Sequence, residues 1–206
     1  MRYDWEGSVI LRETVSSSKR RVIGNEDVLI PTDLREWVSS LNSQVIKDVV
    51  RSLRLPPSKG GGTFDKRARL VWEYVLKNIE YCPDEDSQRK LDFWQFPSET
   101  LALKKGDCED CSLLLTSLLL ASGISPFCVR AVVGELTQDD GSPVGHSWPI
   151  YKDEHGSWRV LETASKGRPA KWPPPLADDL AEPESRPYYR PVYCLNQYHV
   201  WKVGPR

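Results

Sequence analysis

The sequence predicts an α+β fold in which one buried helix packs on an antiparallel sheet, and three features carry that prediction. Within the stretch 106–123, leucines stand at 113, 114, 115, 118, 119 and 120, covering several faces of a single helix. A helix apolar nearly all round is a buried one. Upstream, Phe64, Ala68, Val71, Trp72, Val75, Leu76 and Ile79 recur at helical spacing and predict an amphipathic helix over 63–79. Downstream, residues 127–133, 147–151 and 158–161 are short strand-like runs, with Gly141 and Gly156 in the turns between them.

The remaining elements follow in chain order. Val9-Ile10-Leu11 and Val28-Leu29-Ile30 flank a polar stretch and are expected to be extended. Pro31-Thr32-Asp33 signals a helix start, with Leu34, Trp37, Val38 and Leu41 behind it, and Val45 to Leu53 continue the period in a second helix. Pro56-Pro57-Ser58-Lys59-Gly60-Gly61-Gly62 breaks the pattern. It divides an N-terminal accessory segment, 1–60, from a core over 63–166. The polar run Pro83 to Ser87 reads as a loop, and Ser98 opens a short helix through Leu103. Residues 167–206 belong to the same domain: a proline-rich stretch to Pro191, expected to wrap the surface in extended form and to supply neither helix nor inner strand, then a last strand over 198–203.

Composition narrows the class. The 206 residues, 39% hydrophobic and 28% charged, suit one soluble globular domain. Lys and Arg total 28 against 29 Asp and Glu, a net charge of −1, so the balance offers nothing to nucleic acid or an anionic membrane. The N-terminus has no apolar signal-like region and no run spans a bilayer, which points to a cytoplasmic protein. Five cysteines, an odd number, favour reduced thiols over a disulfide framework.

Chemistry concentrates at the start of the leucine-rich helix. Gly106 breaks the preceding structure, Asp107 is a favoured N-cap, and Asp110 stands at the capping-box position. Cys108 then falls on the first turn, where a partial positive charge of about half an elementary charge favours the thiolate. Asp107, Glu109 and Asp110 oppose that, so a cationic imidazole must offset them to bring the thiol below its free value of about 8.5. Of the three histidines, His155 lies in a turn and His199 near the C-terminus, whereas His146 begins a strand directly after Gly145. A hairpin turning at 153–157 brings Glu162 back beside His146. Nucleophile, base and orienting carboxylate are thus all available.

These residues resemble the transglutaminase-like superfamily, nearest its bacterial cysteine peptidases. Gly106-Asp107-Cys108-Glu109-Asp110 is similar to the family's nucleophile motif, Gly145-His146-Ser147-Trp148 to its histidine strand, and Trp158-Arg159-Val160-Leu161-Glu162 to its acidic strand. Phe93 to Leu101 resembles the approach to the nucleophile. The resemblance implies a papain-like fold and a Cys108-His146-Glu162 triad, with Glu where the family usually has Asp. It also implies an oxyanion hole built from Cys108 N–H and a side chain of Gln95 or Trp94. The expected activity is cysteine-dependent acyl transfer on amide bonds of a protein or peptide substrate, by hydrolysis as a thiol protease or amidase. Transglutamination or deamidation would use the same triad. No cofactor is required, although the peptidase branch suggests calcium at Asp107 and Glu109. A rival from another class is Cys108-Glu109-Asp110-Cys111 as a redox or metal-binding C-x-x-C.

Overall fold

In a computed structural model, residues 19–21, 27–29, 33–38, 43–58, 62–89, 92–164, 171–185 and 187–203 are described. The expected strand at Val9-Ile10-Leu11 lies outside them. The first strands, β1 (Lys19–Arg21) and β2 (Asp27–Leu29), pair antiparallel. Asp33 then accepts Arg35 N–H and starts a 3₁₀ turn over Leu34–Trp37. Helix α1 (Gln44–Ser52) begins at Ser43, whose hydroxyl accepts Ile46 N–H.

Helix α2 (Phe64–Asn78) and strand β3 (Glu80–Tyr81) follow. The acidic run predicted as a loop contains a single helical turn, α3 (Asp84–Ser87). Helix α4 (Pro97–Leu103) has proline in its first turn, and Glu99 accepts Phe96 N–H at 2.7 Å. Strand β4 (Lys105–Gly106) pairs in parallel with β3, setting Tyr81 against Gly106. It delivers the chain into α5 (Cys108–Ala121).

The last part builds β5 (Val129–Thr137), β6 (Pro143–Lys152), β7 (Trp158–Val160), the turn α6 (Ala177–Leu180), β8 (Tyr188–Leu195) and β9 (Val200–Lys202). Five of these are strands of one antiparallel sheet ordered β7-β6-β5-β8-β9. Because strand side chains alternate in direction, each face carries its own core. Val129, Ala131, Tyr151 and Leu195 meet the leucines of α5 and the apolar side of α2. Val132, Trp148, Ile150, Val160, Tyr189 and Trp201 form the other core, with Ala177 and Ala181 against it.

The proline-rich stretch differs from expectation: it holds the helical turn α6, and it contributes an inner strand, since β8 lies between β5 and β9. Pro191 is tolerated because the register shifts there: Val133 pairs with Tyr193 but Gly134 with Pro191, leaving Val192 as the extra residue of a bulge. From the segment before the glycine run, Trp37, Val38 and Ile46 are buried in the cluster that holds the α5 leucines. Trp37 packs between Phe96, stacked at 4.5 Å, and Trp94, edge-on at 5.7 Å.

Gly134 sits where this bulge meets the site, opposite His146 on β6 and Pro191 on β8. A Cβ there would come within 2.2 Å of the Arg190 carbonyl oxygen and 2.9 Å of Pro191 Cα, both backbone atoms that cannot swing aside. Gly134→Ala is therefore expected to destabilise the fold by about 3 kcal/mol, read by urea or thermal unfolding. An unchanged unfolding midpoint would show that the two strands can separate freely here.

Candidate active site

Helix α5 positions Cys108 because the helix is packed on all its sides. Its leucines are enclosed by the sheet, α1, α2 and α4. At its start, Gly106 admits the Asp110 side chain, which a Cβ at 106 would meet at 2.6 Å. Asp110 in turn accepts the Gln95 backbone N–H at 2.7 Å, tying the incoming 92–96 segment to the helix. The Cys108 thiol lies 3.2 Å from a Glu109 carboxylate oxygen and also accepts the Ser147 backbone N–H.

That last contact follows from the strand register. Leu161 N–H donates to Pro149 O, so odd-numbered residues of β6 direct their backbone groups toward the β7 side. At Ser147 β7 has already ended, and the free strand edge offers its N–H to the sulfur, one residue from His146.

His146 and Glu162 meet on the opposite face of the sheet. The register sets Ile150 against Val160, which carries Glu162 across from Trp148, with His146 two residues further along the same face. The longer reach of Glu over Asp spans that offset. His146 Nε2 lies 3.0 Å from Glu162 Oε2. A carboxylate only accepts, so Nε2 carries the proton and Nδ1 is the nitrogen left with a lone pair. Glu162 Oε1 accepts the N–H groups of Thr163 and Ala164 at 2.8 and 2.7 Å, and Tyr189 donates to Oε2 at 2.7 Å. The Trp72 indole holds the Glu162 carbonyl at 2.9 Å. Burial works to raise the Glu162 carboxyl, but His146, Ala164 and Tyr189 outweigh it and keep the group below its ordinary range.

The thiol shows the opposite balance. Burial pushes Cys108 well above the ordinary thiol range, and the Glu109 and Asp107 carboxylates push it further, against the Ser147 N–H. The expected lowering is thus reversed in this structure, because burial of the thiol first, and then the carboxylates of the neighbouring residues Glu109 and Asp107, outweigh a fractional dipole charge.

Those acids form a cluster of their own. Burial, with mutual repulsion, raises Asp84 to about 7, Asp107 to about 8, Glu109 to about 7 and Asp110 to about 8. Among the described residues, ligand atoms of Asp84, Asp107 and Asp110, of Asp84, Asp92 and Glu109, and of Asp107, Cys108 and Glu109 lie within 4.8 Å of one another in each set. Among the described residues, Asp84 Oδ1, Asp107 Oδ1 and Asp110 Oδ2 are buried and have no hydrogen-bond partner. Acidic, mostly oxygen and buried at Asp84, Glu109 and Asp110, this donor set fits a hard divalent cation such as calcium.

The other predicted residues are placed differently. Gln95 has 0% exposure, and both of its side-chain amide atoms lack partners among the described residues, so it would have to be uncovered to touch a substrate. Trp94 is half-buried against Trp37. Cys111 is buried and turns its sulfur to the Gly106 carbonyl, and all five cysteines are free thiols. His155 is exposed in its turn, and His199 packs edge-on against Trp201 at 5.1 Å. Sequence reasoning missed Asp84, Asp92 and Tyr189. Asp84 had a signal, an acidic run beginning behind a proline; Tyr189, inside the proline-rich stretch, had none.

The family model of the transglutaminase-like superfamily matches residues 55–163, more than half of the chain. The chain belongs to the transglutaminase-like superfamily. Of this superfamily fold, LapG from Legionella pneumophila is a solved likeness. Its EGTA-treated form aligns with a TM-score of 0.53 at 18% identity, over 77% of this chain and 74% of that one. Its calcium-bound form aligns with a TM-score of 0.50 at 18% identity, over 77% and 76%. A UPF0252 protein of Methanocaldococcus jannaschii is 31% identical over 112 residues, 44% of this chain and 30% of its own length. The chain thus spans under a third of that relative. Among the described residues, no helix of this superfamily member is long and apolar enough to cross a membrane.

The buried acids make a prediction for the thiol. Without divalent cations, alkylation of Cys108 by iodoacetamide should be slow at neutral pH and still be rising well past about pH 8.5, the ordinary thiol value. Cys111, more deeply buried, should label after Cys108. Peptide mapping of the native protein across pH checks both, and a plateau below the ordinary value would show that the carboxylates do not reach the sulfur.

Proposed function

We propose that this protein is a cysteine peptidase in which Cys108 is the nucleophile, His146 the general base and then acid, and Glu162 the orienting carboxylate. The observation that carries this reading is the His146 Nε2 bond to Glu162, beside a sulfur that already sits on the next residue's N–H. Nδ1 takes the proton from Cys108 Sγ as the sulfur bonds to the substrate carbonyl carbon, and the carbonyl π electrons pass to its oxygen. The Cys108 N–H, in the first helical turn with no carbonyl four residues back inside the helix, is the donor suited to that oxyanion. As the intermediate collapses, Nδ1–H protonates the departing amine and the C–N bond breaks. Water then attacks the thioester, losing its proton to Nδ1, and the acid leaves as Sγ regains a proton. Glu162 stabilises the imidazolium at both stages.

We further propose that Asp84, Asp107, Glu109 and Asp110, with Asp92, hold calcium. The LapG fold has been solved in calcium-bound form, and the three buried unpartnered oxygens in this chain supply their own reason. Calcium bound there would neutralise the acids that now disfavour the Cys108 thiolate.

Two experiments test these readings. With a fluorescently labelled casein as substrate, Cys108→Ala and His146→Ala should abolish turnover, and Glu162→Gln should lower it about ten- to a thousand-fold with unchanged thermal unfolding. Full activity in well-folded His146→Ala would sink the triad. Calcium should raise the Tm, by about 2.7 kcal/mol of stability at a hundred times its Kd. Asp84→Asn should remove more of that gain than Asp92→Asn, because Asp84 is buried and Asp92 exposed. Equal Tm with calcium and with EGTA would reject the cation site.

A further inference from the structure

We propose that Tyr189 is a positioning residue that, through Glu162, fixes the His146 imidazole. This rests on reading His146 and Glu162 as base and orienter. The Glu162 carboxylate has two oxygens with two lone pairs each, and four donors face them. Thr163 and Ala164 N–H groups occupy Oε1, and His146 Nε2 and Tyr189 Oη occupy Oε2. Three of these four donors are supplied locally, by the chain just after Glu162 and by the histidine itself. The fourth comes from β8, on the far side of β5 from β6, where Tyr189 pairs with Leu136.

A hydroxyl that merely needed an acceptor could use any carbonyl. This one takes the same oxygen that orients the imidazole, at 2.7 Å against 3.0 Å for Nε2. Its donation favours the charged carboxylate and leaves Oε2 no lone pair with which to turn away from His146. The ring acts on the same target. Tyr189 stands edge-on to Trp148 at 5.0 Å and tilted to His146 at 6.0 Å, while Trp148 stacks on His146 at 5.7 Å. Imidazole and carboxylate are therefore held by one aromatic wall, of which the hydroxyl is the polar tip.

Tyr189→Phe removes only that tip and keeps the ring, so the fold should survive, with thermal unfolding as the check. The rate of Cys108 alkylation by iodoacetamide at one neutral pH gives a readout that needs no substrate. Nitrogen-15 NMR of the His146 ring reports its tautomer. Tyr189→Phe should slow alkylation about ten-fold and mix the single Nε2–H signature. Glu162→Gln should slow it more, and the double variant should match Glu162→Gln alone, since Tyr189 acts only through the carboxylate. A Tyr189→Phe protein with wild-type rate and tautomer, while Glu162→Gln is slow, overturns the proposal. So does a further additive loss in the double variant, which would give Tyr189 a route that bypasses Glu162. If His146→Ala and Glu162→Gln both alkylate at the wild-type rate, the triad itself fails and the role of Tyr189 fails with it.

Discussion

A helix buried on every side is the constraint on which the rest depends. The leucines of α5 leave it no solvent-facing stripe, so the sheet closes one side and α1, α2 and α4 close the others. Rotating or sliding such a helix would empty several contacts at once, each buried aliphatic side chain contributing about 2 kcal/mol or more. Its first residue is consequently held against a fixed point, the free edge of β6 at Ser147. The placement of Cys108 is thus a by-product of core packing elsewhere in the helix.

That rigidity has an electrostatic cost. Enclosing the start of α5 also encloses Asp107, Glu109 and Asp110, and α3 adds Asp84 to the group. Burial first, and then repulsion between carboxyls close together, raises them toward neutrality. The helix end offers about half a positive charge, too little to offset them. Protons or a dication can, and the two have opposite consequences for the sulfur beside them. The helix terminus therefore has to be considered together with the acids it carries.

Across the sheet the opposite arrangement prevails. Glu162 is also largely enclosed, yet it stays in its charged range because every lone-pair direction meets a donor. The two carboxylate environments differ in depth, Glu162 being the less buried, and in hydrogen-bond satisfaction: unpartnered oxygens around Cys108 among the described residues, saturated ones behind His146. The β6 backbone lies between them, offering Ser147 N–H to the thiol and the His146 side chain to the acid.

Much of this was legible in the chain itself. The leucine spacing determined a buried helix, the Gly-Asp-Cys start determined which residue opens it, and the hairpin between 146 and 162 determined that histidine and carboxylate share one face. These are local periodicities and short-range pairings, whose physics is complete within a few tens of residues. The sign of the Cys108 shift was not legible, because it depends first on how deeply the thiol is enclosed and then on how close Glu109 and Asp107 are held to it, both properties of the packed molecule. Asp84 and Tyr189 entered the site only through folding: a parallel β3–β4 pair brings the α3 turn to the helix start, and strand order brings β8 across from Glu162. Pro191 hid that strand, since a proline argues against an inner strand unless a bulge, made possible by Gly134 on the neighbouring strand, removes the need for its N–H. Contacts between residues far apart in sequence have no periodicity to announce them, and tertiary structure alone decided them.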